Sequence, residues 1–312
     1  MNLHFAPLEG ITTCIYRNTH AALFDGCDSY WAPFIAPSNN ERISRKRVRD
    51  ILPERNGNLP LRVQVLANQP ESFLLFAQKL LELGYTEVNL NLGCPSGTVV
   101  NKGRGAGQLR DPNALEQFLD AIFSKTPLVV SLKTRIGFAD RAEFERLTEI
   151  YNRYPLSLLV IHPRVRADFY QGSPDLDAFS FAYSNAKHPL CYNGDIGTQK
   201  DYARILERFP ALNHIMIGRG AIQNPAIFRE LKGGPPLTTE ELLAFSTKLA
   251  ENYWEELQSD TFTLQKMKEV WLYMIQTYPQ EKKIAKAIKK ATRLAELQSA
   301  VATLPELRSD SL

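Results

Sequence analysis

Along residues 1–232, short apolar runs alternate with longer stretches of helical period. The strand-like runs are LHFA (3–6), SYWAPF (29–34), LRVQVL (61–66), EVNLNL (87–92), PLVVSLK (127–133), SLLVIH (157–162), PLCYNG (189–194) and HIMIG (214–218). The second carries the weakest pattern. Between the third and the fourth, Pro70 suits a first helical turn, where its missing N–H is no loss. Phe73, Phe76, Ala77, Leu80 and Leu81 then predict a buried face, and Gly84 predicts the left-handed stop. Strands alternating with helices imply parallel βα units. Eight of them in a stretch of this length predict an α/β fold of the (β/α)8 TIM-barrel type. A doubly wound sheet is the competitor; the strand count and the polar residues at strand ends favour the barrel.

The pattern changes at KGGPP (232–236), a linker that cannot continue a helix. Thr238, with Glu241 three residues on, predicts a capping box. Residues 240–303 read as about four helices with no strand signal. The expected organisation is therefore a barrel domain at 1–232, a small all-α helical-bundle domain at 237–304 and a disordered tail at 305–312.

Composition narrows the class. With 44% hydrophobic and 23% charged residues the chain reads as an ordinary globular protein, and a net charge of +3 is too small to predict a nucleic-acid partner. Cys14, Cys27, Cys94 and Cys191 form no C-x-x-C pair, so no metal site is expected, and a reducing cytoplasm is. The opening MNLHFAPLEG does not lead from basic residues into a long apolar stretch, so no leader is expected. No apolar run approaches the roughly 20 residues of a membrane span.

In a barrel, chemistry gathers at the C-terminal ends of the strands. Here those ends carry Ala6-Pro7-Leu8-Glu9-Gly10, Gln64, Asn91, Lys133 with Arg135, His162 with Arg164, Asn193-Gly194-Asp195 and Gly218-Arg219-Gly220. The last two match the loops between which barrels often hold a phosphate: glycines admit close backbone approach and Arg219 adds charge. Gln64, Asn91 and Lys133 would then face a planar, hydrogen-bonding ligand. That combination suggests flavin mononucleotide, with Lys133 opposite the negative charge of a reduced ring. Cys94 sits on the turn leaving the fourth strand, where a thiol can serve as nucleophile or general acid. Gly97, Gly103, Gly105 and Gly107 predict a mobile loop after it.

Several stretches, in order from residue 6 to residue 228, resemble the tRNA-dihydrouridine synthase family: APLEG, NLNLGCPSGTVVNKGRGAGQLRDP, SLKTRIG, IHPRVRADFYQG, YNGDI and MIGRGAIQNPAIF. The resemblance implies an FMN-bearing barrel and a helical domain that grip tRNA. It implies reduction of the 5,6 double bond of a particular uridine, NADPH being the reductant. Carried over by motif, Cys94 is the proton donor. Pro7, Leu8, Glu9, Gln64, Lys133, His162, Asn193, Gly194, Asp195, Gly218 and Arg219 are cofactor-binding, while Asn91, Arg164 and Tyr170 fall on the substrate side. Leu8 replaces the usual methionine, Asn89 an acid, and Pro163 and Val165 the commoner glycine and threonine. The last two put the choice of uridine in question more than the chemistry.

Plainer readings stand beside these. Cys94 alone reads as a small buried hydrophobe, His162 as a satisfied core histidine, Arg219 as a surface ion pair. Two basic stretches remain, RISRKRVRD (Arg42, Arg45, Lys46, Arg47, Arg49) and KKIAKAIKKATR. In the second, Lys282, Lys286, Lys289, Lys290 and Arg293 recur at three- and four-residue spacings, with no acid between 282 and 293. A solvated helix face explains them; so does a surface that tracks RNA phosphates. The rivals to a tRNA reductase are an FMN barrel acting on a free pyrimidine or enone, and a catalytically inactive RNA-binding module. No obligate protein partner is evident.

Overall fold

Nine strands form one parallel sheet: β1 (Asn2–Phe5), β2 (Ser29–Trp31), β3 (Leu61–Arg62), β4 (Gln64–Val65), β5 (Glu87–Leu92), β6 (Val129–Arg135), β7 (Leu159–His162), β8 (Leu190–Tyr192) and β9 (His214–Ile217). The computed structural model describes residues 1–37 and 44–307, apart from the side chains of Lys46 and Arg47. Arg42 of the first basic stretch and residues 308–312 of the expected tail therefore lie outside the described residues.

The strand order is β3-β2-β1-β9-β8-β7-β6-β5-β4. Its two edges are consecutive pieces of one run. Leu61 and Arg62 register with Tyr30 and Trp31, whereas Gln64 and Val65 register with Asn89 and Leu90. Only Val63 separates them, and its carbonyl accepts from the Asn89 N–H at 2.9 Å. The sheet thus closes into a barrel, and eight apolar runs become nine strands because one run changes partner midway.

Strand period decides what faces inward. Leu3, Phe5, Val88, Leu90, Leu92, Leu132 and Ile161 join the large outer core under the helices. Ala6, Trp31, Leu158, Val160, Cys191 and Met216 form a small inner cluster. Other buried positions of the inner set are polar, among them Gln64, Asn89, Asn91, Ser131, His162 and Asn193. His4 and Ser29 belong to the same inner set at the opposite end, where His4 bonds to Ser29 at 2.7 Å and to His214 at 3.0 Å, so both ends of the barrel are hydrogen-bonded.

The covering helices are α1 (Cys14–Leu23), α2 (Pro70–Glu82), α3 (Pro112–Phe123), α4 (Glu143–Tyr151), α5 (Leu176–Asn185), α6 (Gln199–Arg208) and the short α7 (Arg219–Gln223). Helix α2 starts at Pro70, buries Phe73, Phe76, Ala77 and Leu80, and is followed by Gly84 at φ +86°. Leu81, expected on its buried face, is exposed: it lies about 100° around from Leu80 and off the stripe.

Four α-helices make the C-terminal region, α8 (Thr239–Leu257), α9 (Asp260–Met274), α10 (Lys282–Lys290) and α11 (Leu294–Val301). Thr238 caps α8 as expected: its hydroxyl accepts from the Glu241 N–H at 3.1 Å, and the Glu241 carboxylate accepts from the Thr238 N–H at 3.1 Å. This region docks on the barrel through polar pins. Asn252 donates to Thr19 at 2.8 Å and Lys266 to the Gly10 carbonyl at 3.0 Å, while Arg55 pairs with Glu256 at 2.9 Å. Among the described residues no helix is long and apolar enough to cross a membrane, and no group of three His, Cys, Asp or Glu is placed to hold a metal ion.

Candidate active site

A cleft of about 1080 Å³ opens at the C-terminal ends of the strands. That exceeds what a single small ligand needs and leaves room for two planar groups. Every residue expected to be catalytic or cofactor-binding borders it, together with Asn91 and Tyr170. So do residues to which the sequence assigned no role. Arg135 ends β6, and Leu272, Tyr273 and Gln276 bring the C-terminal helices to the rim. Gln223 of α7 donates to Gln276 at 2.7 Å across the seam.

The floor is a directional chain of amides. Asn91 Nδ2 donates to Gln64 Oε1 at 2.7 Å, Gln64 Nε2 to Asn89 Oδ1 at 2.7 Å, and Asn89 Nδ2 to Ser131 Oγ at 3.0 Å. Asn91 Oδ1 meanwhile accepts from the N–H groups of Gly93 and Cys94 at 3.0 and 2.9 Å. Its side chain, expected on the substrate, is committed to building the turn that carries Cys94. Asn89, set apart above as a departure from the family's usual acid, is the neutral link that lets the chain continue.

Cys94 is half-buried on that turn. Burial pushes its thiol above the ordinary range, the carboxylate of Glu9 adds to the rise, and Lys133 and Arg135 act the other way with the Ser96 N–H. The following loop is not built for looseness. Residues 97–100 and 105–110 are short helical turns that bury Val99, Val100, Ala106 and Leu109. A Cβ on Gly105 would lie 2.9 Å from the Cys94 carbonyl, and one on Gly107 2.8 Å from that of Val100. These two glycines serve close backbone approach, which corrects the expectation that they make a mobile loop.

Lys133 and Arg135 differ sharply. Arg135 donates to the carbonyls of Gly93, Val165 and Phe169 at 2.9, 2.9 and 2.7 Å. Lys133 makes no hydrogen bond or ion pair with any described residue, and burial, then Arg135, lower its pKa to about 8. His162 is neutral: burial first, then Lys133, Arg135 and Arg164, hold it well below the usual imidazole range. Its Nδ1 donates to the Asn193 carbonyl at 2.7 Å, so Nε2 accepts from Arg164 at 3.3 Å.

The turns after β8 and β9 are interlocked. A Cβ on Gly220 would fall 2.1 Å from the Ile196 carbonyl, so only glycine fits. Gly218 is different: a Cβ there would touch only Ala6 at 3.4 Å and Leu8 at 3.7 Å, so packing within the chain does not require glycine. Asp195, at φ +41°, pairs with Arg164 and, at 2.6 Å, with Arg219. Burial alone would raise its carboxyl, but Arg164 and Arg219 hold it below the usual range. Arg164, expected on the substrate side, is 1% exposed and bonded to Asp195 and the carbonyls of Gln171 and Gly172, so it braces the wall from behind. Tyr170 is exposed at the rim, with the Arg219 guanidinium 4.8 Å and that of Arg135 5.4 Å from its ring centre.

The second basic stretch lies elsewhere. Lys282, Lys286, Lys289 and Lys290 are exposed on α10, opposite its buried Ile284 and Ile288. Arg293 is not part of that face, because α10 ends at Lys290 and Ala291 is extended. It pairs with Glu296 at 2.9 Å, an acid just past the window in which none was found.

An unpartnered amine, a raised thiol and a neutral imidazole at the C-terminal end of a parallel barrel mark the enzyme site of a TIM-barrel protein. The solved structures of a morphinone reductase mutant in complex with tetrahydroNAD (TM-score 0.55, 11% identity, 75% of this chain and 87% of that chain) and of histamine dehydrogenase from Rhizobium sp. 4-9 (TM-score 0.55, 9% identity, 74% and 45%) share the fold. The chain belongs to the dihydrouridine synthase family, whose profile, described as Dihydrouridine synthase (Dus), matches residues 4–307, and it is an oxidoreductase. It is 30% identical over 235 residues to tRNA-dihydrouridine synthase B of Pseudomonas putida, spanning 74% of this chain and 68% of that protein. It is 26% identical over 316 residues to tRNA-dihydrouridine(16) synthase of Cupriavidus necator, spanning 97% of each.

Proposed function

We propose that this chain reduces the 5,6 double bond of a uracil in tRNA to dihydrouridine, with FMN as its bound cofactor and NADPH as reductant. The observation that carries the reading is the pairing, in one cleft, of a proton-bearing Cys94 with an amine, Lys133, that the protein leaves without a partner. A half-buried amine with no counter-group is unfavourable unless a ligand supplies one. The names of the Pseudomonas and Cupriavidus relatives support tRNA as the substrate.

The residues fit the cofactor. Lys133 would meet an anionic ring edge, and Gln64 keeps one amide N–H free of the floor chain. Pro7, Leu8, Glu9, His162 and Asn193 border the same space. Gly218 leaves its wall open, and Gly194, Asp195 and Arg219 frame the place for a phosphate. FMN supplies two-electron reducing chemistry there. Cys94 holds a proton on Sγ and delivers it to carbon 5 of the uracil as carbon 6 is reduced. Tyr170 stands at the rim where an extruded base enters. The barrel, 1–232, would carry the chemistry, and the helical part, 237–304, would hold RNA along Lys282, Lys286, Lys289 and Lys290; the setting is the cytoplasm.

The test is spectroscopic and kinetic. The purified protein should be yellow, bleach with NADPH and regain colour with tRNA. Cys94→Ala should bleach normally and fail to regain colour with tRNA. A colourless chain that takes up no FMN, or Cys94→Ala with full turnover, contradicts the proposal.

A further inference from the structure

Glu9 projects from a loop that is fixed on both sides. The Leu8 N–H donates to Thr12 Oγ1 at 2.8 Å, and the Thr12 N–H returns to the Leu8 carbonyl at 3.0 Å. Gly10 follows at φ +80°, and its carbonyl accepts from Lys266 of α9 at 3.0 Å. The C-terminal helices therefore hold the backbone beside Glu9. The Glu9 side chain itself is exposed to the cleft and makes no hydrogen bond or ion pair with any described residue.

Three acids border the cleft: Glu9, Asp195 and Asp201. Asp195 is spent on Arg164 and Arg219, and Asp201 caps α6 by accepting from the Thr198 N–H at 3.1 Å. Glu9 is the only one of the three left without a partner among the described residues. The charged groups that act on Cys94 are Glu9 from the loop after β1, and Lys133 and Arg135 from β6; the Ser96 N–H reaches the sulfur from its own turn. The two cations favour a thiolate, which has no proton to give.

We propose that the Glu9 carboxylate opposes Lys133 and Arg135 and so, beside the burial that does most of this, helps to keep Cys94 in its proton-bearing form. The inference rests on the reading of Cys94 as proton donor. Glu9 acts through the thiol, as a positioning residue in the electrostatic sense. Because its loop is tied to α9 by Lys266, the region assigned to RNA also sets where this charge stands.

The experiment measures the Cys94 thiol directly. The full chain, as purified, is alkylated with iodoacetamide between about pH 6 and pH 10, and modification of the Cys94 peptide is followed by mass spectrometry. Glu9→Gln should lower the midpoint by about 0.5–1 unit, a roughly 3- to 10-fold faster reaction below it. Glu9→Asp keeps the charge and should stay nearer the parent; Lys133→Met should move the midpoint upward. The alkaline limb of the pH profile for tRNA turnover should fall with the midpoint in Glu9→Gln. An unmoved midpoint in Glu9→Gln overturns the proposal, as does an equal shift in Glu9→Asp, which would mark a packing effect. Failure of the proton-donor reading is separate: it shows as turnover by Cys94→Ala and leaves the alkylation midpoints unchanged.

Discussion

Replacing Asn91 with alanine should damage the protein in a specific order. The side chain is 6% exposed and makes three hydrogen bonds, one to Gln64 at 2.7 Å and two from the N–H groups of Gly93 and Cys94 at 3.0 and 2.9 Å. Alanine orphans all three partners. A buried unsatisfied group costs about 1–3 kcal/mol; the lower figure applies to the half-buried Gly93 and Cys94 but not to the fully buried Gln64, for a total of about 3–5 kcal/mol. Asn91→Asp keeps the acceptor that builds the turn and loses only the donor to Gln64. The amides of Gln64 and Asn89 can then both turn over, because the Ser131 hydroxyl at the end of the chain donates as readily as it accepts. The aspartate variant should therefore lose less, about 1–2 kcal/mol. Urea midpoints for the three proteins measure this, with unchanged slopes confirming that stability alone moved. The midpoint for alkylation of Cys94 in Asn91→Ala should also fall toward that of a free thiol as the turn loosens and the sulfur is exposed. An alanine variant within about 0.5 kcal/mol of the parent, or an aspartate variant worse than alanine, would refute the directional chain.

Lys133 carries a pKa near 8 in the folded chain against 10.5 free, so between those values the unfolded chain binds more protons at this residue, and its own contribution to the stability of the cofactor-free protein should rise with pH, against the opposite contribution of the raised thiols. Lys133→Met should abolish that rise and stabilise the cofactor-free chain at pH 7 by about 1–3 kcal/mol, while weakening FMN retention; thermal melts across pH and flavin absorbance check both. Gly220→Ala forces a Cβ to 2.1 Å from a backbone carbonyl and should lower the melting temperature and the flavin content together, by overpacking worth about 3 kcal/mol. Neutralising Lys286, Lys289 and Lys290 should leave NADPH-driven bleaching intact but reduce the salt slope of tRNA binding by about 0.7–0.9 per lost phosphate contact; an unchanged slope removes α10 from the RNA surface.

Much of this was legible in the chain because strand period and chemistry coincide. In EVNLNL the alternation sends Val88, Leu90 and Leu92 outward and both asparagines inward, so the strand and its polar end are read together. Other features depend on which strand lies beside which. The change of partner at Val63 and the Asp195 pairing that holds Arg164 and Arg219 join positions up to 31 residues apart, which no local pattern records. The glycines at 105 and 107 suggest a mobile loop because a glycine that frees the backbone and one that makes room for it look alike in sequence. Arg293 fell out of the basic face because α10 stops at Lys290, before the charge pattern does. Leu272, Tyr273 and Gln276 carry no motif at all and reach the cleft only because α9 docks there.

The most direct test follows the RNA. Unmodified tRNA incubated with the purified chain, FMN and NADPH should gain two hydrogens at a defined uridine, located by mass spectrometry of nuclease fragments, and Cys94→Ala should yield none. The same RNA recovered unchanged from a yellow, NADPH-reducible enzyme would contradict the account and return the chain to the reductases of small molecules.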